Sequence, residues 1–222
     1  MVMSERNARV AMFGGTFNPV HIAHLRAAVE LREALSLDVI HMVPAHLPPH
    51  RSAPGVSSED RLSMLKLALS DTPGLVADDR EIHRDGPSWS LDTLRSLREQ
   101  YGQKARLLMV LGRDAFLKLH EWHRPEALFD YAHILVIGRP ESDEVQCQAL
   151  ETLVEARRVD SIDALMATPC GSVLDYDKTT AMAISATAIR QALASGHSVR
   201  YLMPPAVEAF IDQHGLYLDT SG

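Results

Sequence analysis

The sequence predicts an α/β protein with a doubly wound, mostly parallel sheet, helices on both faces and a helical carboxyl-terminal end. Short apolar runs typical of buried parallel strands alternate with segments whose apolar residues recur at helical spacing. The first strand, helix and strand follow one another closely, as in a right-handed crossover unit. Because such an open, Rossmann-like sheet binds ligands outside the carboxyl ends of its strands, functional residues are expected in the loops after the strands.

The individual elements follow from the same two patterns. Strands are predicted at 9–13, 39–43, 75–82, 106–111, 133–137 and 172–176. Helices are predicted at 22–35, 59–70, 90–100, 124–130, 186–194 and 204–214, and the polar stretch 141–166 is expected to be helical in part. Ser57 or Ser58 would cap the second helix, and a proline in the first turn suits the start of the last one.

The size and charge of the chain narrow its function classes. Its 222 residues fit a single domain, with residues 1–8 as a frayed tail and 184–222 as a helical subregion. The formal net charge of -7 lacks the basic footprint of a sequence-independent nucleic-acid binder. We find no signal peptide or membrane span, and the spacing of Cys147 and Cys170 matches no redox or zinc motif. These features predict a cytoplasmic protein whose partners are neither nucleic acid nor membrane.

The most specific stretch of the chain is GGTFNPVHIAH, which runs from Gly14 to His24. Two glycines after a strand let the backbone turn tightly against a ligand, and the next helix offers free N–H groups to a phosphate. His21 and His24 lie three apart, so both would project from one face of the first helical turn and donate to nucleotide oxygens, or add charge when protonated. Each feature alone has an ordinary explanation as a turn, a metal half-site or a polar helix start. Together, at a strand–loop–helix junction, they predict a phosphate-binding site.

A second candidate motif, ISATAIR, lies near the other end of the chain. Ser185 is expected to cap a helix whose first turn again points N–H groups at an anion. Arg190 follows in the first turns of that helix, and its planar fork suits bidentate binding of phosphate oxygens. Taken alone, this stretch would be a capped helix with a surface arginine.

The two motifs resemble the GxFxPxHxGH and ISxTxIR signatures of the HIGH-type nucleotidyltransferases, in the same order, although Ala23 stands where that superfamily usually has glycine. The resemblance implies direct transfer, in which an acceptor phosphate attacks the α-phosphorus of ATP in line and pyrophosphate leaves, with Mg²⁺ accompanying the triphosphate. It assigns catalysis to His21, His24 and Arg190, and no residue to a protein-bound metal. It assigns ATP binding to Gly14, Gly15, Thr16, Phe17, Gly112, Asp114, Ser185 and Thr187.

The acceptor is indicated by four segments in the middle of the chain, PAHLPPHR, GPSWS, GRDAF and EWHRPEALF. They resemble bacterial nicotinate mononucleotide adenylyltransferases, and the resemblance covers the chain from about Val10 to Tyr217. Trp89 and Ser90 stand where those enzymes usually have tyrosine and threonine, which keeps an aromatic ring and a hydroxyl. The resemblance implies that ATP and nicotinate mononucleotide are the substrates and that the product is nicotinate adenine dinucleotide, for NAD biosynthesis.

The residues expected to hold the mononucleotide carry charge, a hydroxyl or an aromatic ring on these segments. Positive charge on a proline-stiffened loop suits a phosphate or carboxylate, a hydroxyl at a helix start could cap the helix or donate to a carboxylate, and an indole could stack on a pyridine ring. Asp114, in turn, would fix a ribose or the metal. The mononucleotide-binding residues are predicted to be Ala45, His50, Arg51, Ser90, Trp122 and Arg139.

Three other functions remain compatible with parts of the sequence. A nucleotidyltransferase could use another acceptor, such as nicotinamide mononucleotide or phosphopantetheine. A dinucleotide-dependent oxidoreductase would need G-x-G-x-x-G after the first strand and an acidic residue ending the second, whereas this chain has GGTFNP and Val43-Pro44. A regulatory nucleotide-binding protein without catalysis is disfavoured by the intact His21, His24 and Arg190.

Overall fold

A computed structural model describes residues 7–46, 55–138 and 147–218, and its strands form one parallel sheet. The strands are β1 (Arg9–Gly15), β2 (Val39–Pro44), β3 (Leu75–Ala77), β4 (Arg106–Gly112), β5 (His133–Ile137) and β6 (Val173–Tyr176). Their order is β3-β2-β1-β4-β5-β6, and every neighbouring pair is parallel. The predicted doubly wound parallel sheet is therefore confirmed.

Helices follow most of the strands, with bounds close to those predicted. They are α1 (Ile22–Ala34), α2 (Ser58–Leu69), α3 (Ser90–Tyr101), α4 (Arg113–Leu117), α5 (Pro125–Leu128), α6 (Gln148–Val154), α7 (Ile162–Met166), α8 (Ala186–Ala194) and α9 (Pro205–His214). Short 3-10 turns occupy Leu119–Glu121 and Glu155–Arg157. The sequence did not indicate α4, which is a short helix directly after β4. None of the described helices is both long and apolar enough to cross a membrane.

The sheet separates two apolar cores because successive side chains of a strand point to opposite faces. In β1, Ala11 and Phe13 join a core built with α1, α2, α7, α8 and α9. Val10 and Met12 face the opposite core, which is built with α3, α4, α5 and α6. Helices therefore cover both faces of the sheet, as the alternating sequence pattern predicted.

The prediction for the third strand was too long. It was expected over 75–82, but β3 ends at Ala77 because the next residue turns into a buried polar network. One carboxylate oxygen of Asp78 lies 2.6 Å from His41 Nδ1, and Arg80 binds the same carboxylate at 2.7 Å. His41 Nε2 also lies 2.7 Å from the Tyr101 hydroxyl. The backbone N–H of Asp78 still donates to the carbonyl of Met42 in β2 at 3.0 Å, and the chain leaves the sheet after this residue, whose side chain is held in the network. The propensity of the sequence did not reveal these side-chain contacts.

The strand order reverses between β1 and β4, which are neighbours in the sheet although five elements, α1 to α3 with β2 and β3, separate them along the chain. Ligands of open α/β sheets bind in the crevice that forms outside the carboxyl ends of strands at such a reversal. Here β1 ends at Gly15 and β4 ends at Gly112, so both glycine-containing turns meet at the crevice.

Candidate functional site

The phosphate loop (residues 14–18) leaves β1 and is shaped by a buried aromatic ring. A Cβ at Gly15 would lie 3.1 Å from the Phe17 ring, so glycine leaves room for that ring to fold back. Phe17 itself has φ of 46°, in the left-handed region, and its side chain is 2% exposed. Its ring packs edge-on against His24, with ring centroids 5.1 Å apart. The Phe17 side chain therefore packs against His24, and only the backbone of Phe17 is available to a ligand.

The two histidines of the first motif form a stacked pair at the start of α1. Their ring centroids are 3.7 Å apart with an interplanar angle of 25°. His21 precedes the first helical turn as its cap residue, whereas His24 lies within that turn, which refines the prediction that both belong to the turn. The backbone N–H of His21 donates to His24 Nδ1 at 3.4 Å. A neutral His24 that accepts at Nδ1 carries its hydrogen on Nε2, where it can donate to a ligand.

Burial keeps both rings neutral in the ligand-free protein. It lowers the pKa of His21 to about 4, and burial together with the neighbouring His21 lowers the pKa of His24 to about 3. In the ligand-free site at neutral pH the two rings therefore act as hydrogen-bond donors or acceptors without charge, and the charge expected of protonated imidazoles stays a prediction for the ligand-bound site. His21 Nδ1 is buried and has no hydrogen-bond partner in the part of the chain that the structure describes. An anionic ligand next to these rings would raise both pKa values, because opposite charge favours the protonated form.

These lowered pKa values predict a pH dependence of stability. Between the ordinary histidine pKa of about 6.5 and the folded value near 4, the unfolded chain binds more protons than the folded one. The free energy of unfolding is therefore expected to fall as the pH is lowered from 7 to about 4.5. Urea unfolding of wild type and His24→Gln at both pH values measures this, and the variant should lose less stability on acidification. An equal loss in the two proteins would contradict the lowered pKa of His24.

The second motif reaches the phosphate loop directly. Ser185 caps α8, as predicted, by accepting a hydrogen bond from the backbone N–H of Ala188 at 3.1 Å. Arg190, one turn into α8, donates from Nη1 to the carbonyl of Asn18 at 2.8 Å and from Nη2 to the Thr187 hydroxyl at 3.3 Å. This contact brings together the two motifs that lie 172 residues apart in the sequence.

Asn18 is also held from the carboxyl-terminal segment. The hydroxyl of Tyr217 donates to Asn18 Oδ1 at 2.6 Å. Burial raises the pKa of Tyr217 well above its usual range, so its hydroxyl stays a proton donor. The backbone and the side chain of Asn18 are therefore fixed by two different elements, and the end of the phosphate loop is fixed with them.

The loop after β2 lies beside the phosphate loop and is hydrogen-bonded to it. The backbone N–H of Ala45 donates to the carbonyl of Gly15 at 2.9 Å. The next residue, His46, donates from its backbone to the Ser88 hydroxyl at 2.9 Å, and its Nδ1 lies 2.7 Å from the Ser58 hydroxyl. These bonds tie the loop after β2 to α2 and to the GPSWS segment. The sequence prediction placed Ala45 in the site but attributed no role to Ser88.

Arg61 is a buried residue beside the site to which the sequence analysis gave no role. Its side chain is 1% exposed and donates to the carbonyls of Thr16 and Ala45, both at 2.7 Å. One signal in the sequence could have revealed it, because Arg61 lies four residues before Leu65 on the apolar stripe of α2. A charged residue on the buried face of a helix requires polar partners inside the protein.

The turn after β4 brings a carboxylate to the same crevice. Asp114 is exposed in the first turn of α4, and a Cβ at Gly112 would lie 3.1 Å from its Oδ1, so the carboxylate lies close against the backbone of this turn. Arg113 forms an ion pair with Asp175 of β6 at 2.7 Å. The predicted ATP residues Gly112 and Asp114 therefore lie at the carboxyl end of the strand next to β1.

The two tryptophans of the acceptor side have different surroundings. Trp122 is partly buried against the core that faces α3, so part of its ring serves packing. Trp89 stacks on His123 with ring centroids 4.6 Å apart at 27°, and this joins the GPSWS and EWHRPEALF segments. Ser90 does not cap α3, because it is the first residue of the helix and Trp89 holds the cap position without a side-chain bond. Of the two roles considered for Ser90, capping of α3 is therefore wrong, and donation to a ligand carboxylate stays a prediction.

Three predicted mononucleotide residues, His50, Arg51 and Arg139, lie outside the described residues.

Within 7–46, 55–138 and 147–218, no group of three or more His, Cys, Asp and Glu side chains could hold a metal ion.

Comparison with known proteins identifies relatives along nearly the whole chain. The sequence profile of the cytidylyltransferase-like family matches residues 12–192. A probable nicotinate-nucleotide adenylyltransferase of Chromohalobacter salexigens is 59% identical over 212 residues, which cover 96% of this chain and 97% of that protein. A protein of the same name from Pseudomonas syringae pv. tomato is 46% identical and covers 97% of this chain and 96% of its own length. The solved structure of Plasmodium falciparum nicotinic acid mononucleotide adenylyltransferase complexed with NaAD matches 95% of this chain and 98% of its own with a TM-score of 0.72; at 15% identity the likeness concerns the fold.

Proposed function

The chain belongs to the cytidylyltransferase-like family, and within it to the nicotinate-nucleotide adenylyltransferases, and on that premise we propose how its residues carry out the reaction. The enzyme transfers AMP from ATP to nicotinate mononucleotide and forms nicotinate adenine dinucleotide and pyrophosphate, a step of NAD biosynthesis. The observation that carries the residue assignment is the hydrogen bond from Arg190 to Asn18, because it unites the two motifs beside the stacked histidines.

The ATP half of the site consists of the phosphate loop, the start of α1 and the start of α8. Gly14, Gly15 and Thr16 offer backbone to the triphosphate, and the two helix starts add the positive ends of their dipoles. Ser185 and Thr187 shape the second helix start, where Thr187 also orients the Arg190 fork at 3.3 Å. Backbone amides fixed in this way stabilise negative charge without reorganising during the reaction.

His24 and Arg190 act on the charge that develops at the reacting phosphorus. The His24 Nε2–H donates to a non-bridging oxygen as the acceptor phosphate attacks, and His21 holds the ring by stacking at 3.7 Å. The free N–H groups of the Arg190 fork bind the β- and γ-phosphate oxygens and stabilise the leaving pyrophosphate. The attacking group is the phosphate of the mononucleotide, so the enzyme needs no nucleophile of its own.

The mononucleotide half lies on the loops after β2 and β4 and at the start of α3. Ala45 offers its backbone, Ser90 its hydroxyl, and Trp122 the exposed part of its ring for stacking on the pyridine. His50, Arg51 and Arg139 remain proposed for the charged groups of this substrate, on the strength of the resemblance of their segments.

Mg²⁺ enters the reaction as part of the substrate MgATP. Mg²⁺ prefers carboxylate and phosphate oxygens as ligands. Among the described residues the crevice offers it Asp114 and no cluster of carboxylates, which supports the proposal that the ion arrives with ATP. When bound, the ion neutralises triphosphate charge. Asp114 would hold either the ion or a ribose hydroxyl, since its exposed carboxylate can accept from both.

We also place the reaction in the cytoplasm. Cys147 and Cys170 are both free thiols, which fits a reducing compartment. The net charge of -7 fits small-molecule substrates rather than nucleic acid.

Pyrophosphate release from MgATP with separate acceptors tests the function. We expect release with nicotinate mononucleotide, much less with nicotinamide mononucleotide, and none with phosphopantetheine. EDTA should stop the reaction and added Mg²⁺ should restore it fully, because the ion arrives with ATP. Release with phosphopantetheine alone would keep the chemistry and overturn the acceptor. No release from folded protein that still binds ATP would favour a regulatory function instead.

A further inference from the structure

The strongest feature outside the assigned residues is the buried guanidinium of Arg61. It lies on α2, is 1% exposed, and donates from Nη1 to the carbonyl of Thr16 and from Nη2 to the carbonyl of Ala45, each at 2.7 Å. Thr16 belongs to the phosphate loop and Ala45 to the loop after β2. A single planar group thus spans the two loops that hold the two substrates.

The surroundings of Arg61 indicate that its side chain holds backbone segments in place and does not serve to pair with a carboxylate. In the described part of the chain no carboxylate forms an ion pair with it, and burial lowers its pKa. Burying a cation among carbonyls is costly, and an apolar side chain of similar volume often fills such a position as stably. The fork does what an apolar side chain cannot do, because its two terminal nitrogens hold two carbonyls at a fixed separation.

We infer that Arg61 is a positioning residue that sets the distance between the ATP-binding loop and the mononucleotide-binding loop. The inference rests on the proposed function, since it requires that the two loops bind the two substrates. Arg61 contacts neither substrate and acts through Thr16 and Ala45. The direct bond from Ala45 N–H to the carbonyl of Gly15 is a second link between the loops, so loss of Arg61 would loosen the loops and not separate them.

The expected consequence lies in the alignment of the two phosphates. In-line attack requires the acceptor oxygen and the α-phosphorus at near-contact distance, and a displacement of about 1 Å can lower the rate by roughly a hundredfold. When the spacing changes, each loop keeps its own structure, so each substrate alone can still bind to its loop. We therefore expect Arg61→Met to retain the affinity for each substrate alone and to lose kcat by about ten- to a hundredfold.

A ligand that occupies both halves of the site at once gives the sharpest measurement. The dinucleotide product binds both loops at once. Its affinity therefore depends on the distance between the loops, just as the affinity of two linked ligands depends on the length of their linker. By calorimetry or fluorescence, Arg61→Met should bind nicotinate adenine dinucleotide about tenfold or more weakly than wild type. Its affinities for a non-reactive ATP analogue and for nicotinate mononucleotide should match those of wild type.

Arg98 provides a matched control. It is also a buried arginine, 2% exposed, whose Nη atoms donate to carbonyls, among them that of Ala105 at 2.7 Å and that of Tyr131. Its Nε, like that of Arg61, has no partner among the described residues. Its contacts lie at the amino-terminal side of β4, away from both loops. Arg98→Met should lower the midpoint of thermal unfolding and leave kcat and all three affinities unchanged.

The outcomes separate this inference from the proposed function. Wild-type enzyme that forms no dinucleotide would overturn the function itself. Active wild type together with Arg61→Met that keeps both kcat and dinucleotide affinity would overturn the positioning role, as would an equal loss of affinity for all three ligands. If Arg61→Met does not fold, Arg61→Lys carries the same measurements, because a single ammonium cannot reproduce the two-nitrogen span.

Discussion

Replacing His24 with alanine is expected to lower kcat for dinucleotide synthesis by about a hundredfold or more, with the fold intact. The ring sits between Phe17 and His21, and its Nδ1 accepts from the backbone, so Nε2–H is oriented before substrate arrives. Alanine removes a donor that acts mainly in the transition state, and kcat should fall more than the affinity for ATP. Steady-state dinucleotide formation at saturating substrates, with circular dichroism of the variant, measures this effect.

His133 supplies the matched control for that experiment. It too is a buried histidine, and burial lowers its pKa to about 4. It is the first residue of β5, however, and so lies at the amino-terminal end of the strand, away from the carboxyl-terminal end that faces the site. Its Nε2 lies 2.9 Å from the carbonyl of Thr168. His133→Ala should lose stability and retain kcat per folded molecule. A folded His24→Ala enzyme with near-normal turnover would remove His24 from the mechanism.

Replacing Arg190 with alanine is expected to lower kcat/KM for ATP by about a hundred- to a thousandfold. The fork contacts Asn18 and Thr187. In the proposed mechanism its remaining N–H groups bind the leaving pyrophosphate. Arg190→Lys keeps the charge but loses the fork, so we expect it to recover only part of the loss. Initial rates over a range of ATP concentrations, at saturating mononucleotide, give the required comparison.

Arg95 offers a control on a solvent-facing helix position. It forms an exposed ion pair with Asp92 at 3.1 Å, and such pairs contribute little to stability. Arg95→Ala should leave kcat/KM unchanged. If Arg190→Ala behaved in the same way, the second motif would be a structural helix start and not part of the active site.

Local signals explain which parts of the fold the sequence predicted. The helix α8 was predicted residue for residue, because Ser185 caps it and its apolar residues repeat at helical spacing. The strand β5 was equally well defined by a short apolar run. Helices on both faces of the sheet were predicted from the alternation of strand and helix patterns along the chain, and the two apolar cores confirm them.

The failures come from contacts between distant residues. Nothing in the sequence around Asp78 indicates that His41, 37 residues earlier, will contact its carboxylate at the end of β3. The neutral state of His24 depends on burial by elements that meet only in the folded chain. The role of Arg61 likewise requires the separation of Thr16 and Ala45, which no spacing in the sequence encodes.

A crystal structure with a non-reactive ATP analogue and nicotinate mononucleotide bound together would test the proposed active site most directly. We expect the triphosphate along the phosphate loop, with His24 Nε2 and the Arg190 fork within hydrogen-bond distance of its oxygens. The acceptor phosphate should lie next to Ala45, in line with the α-phosphorus. A triphosphate bound away from His24 and Arg190, or an acceptor that does not approach the loop after β2, would contradict the proposed site.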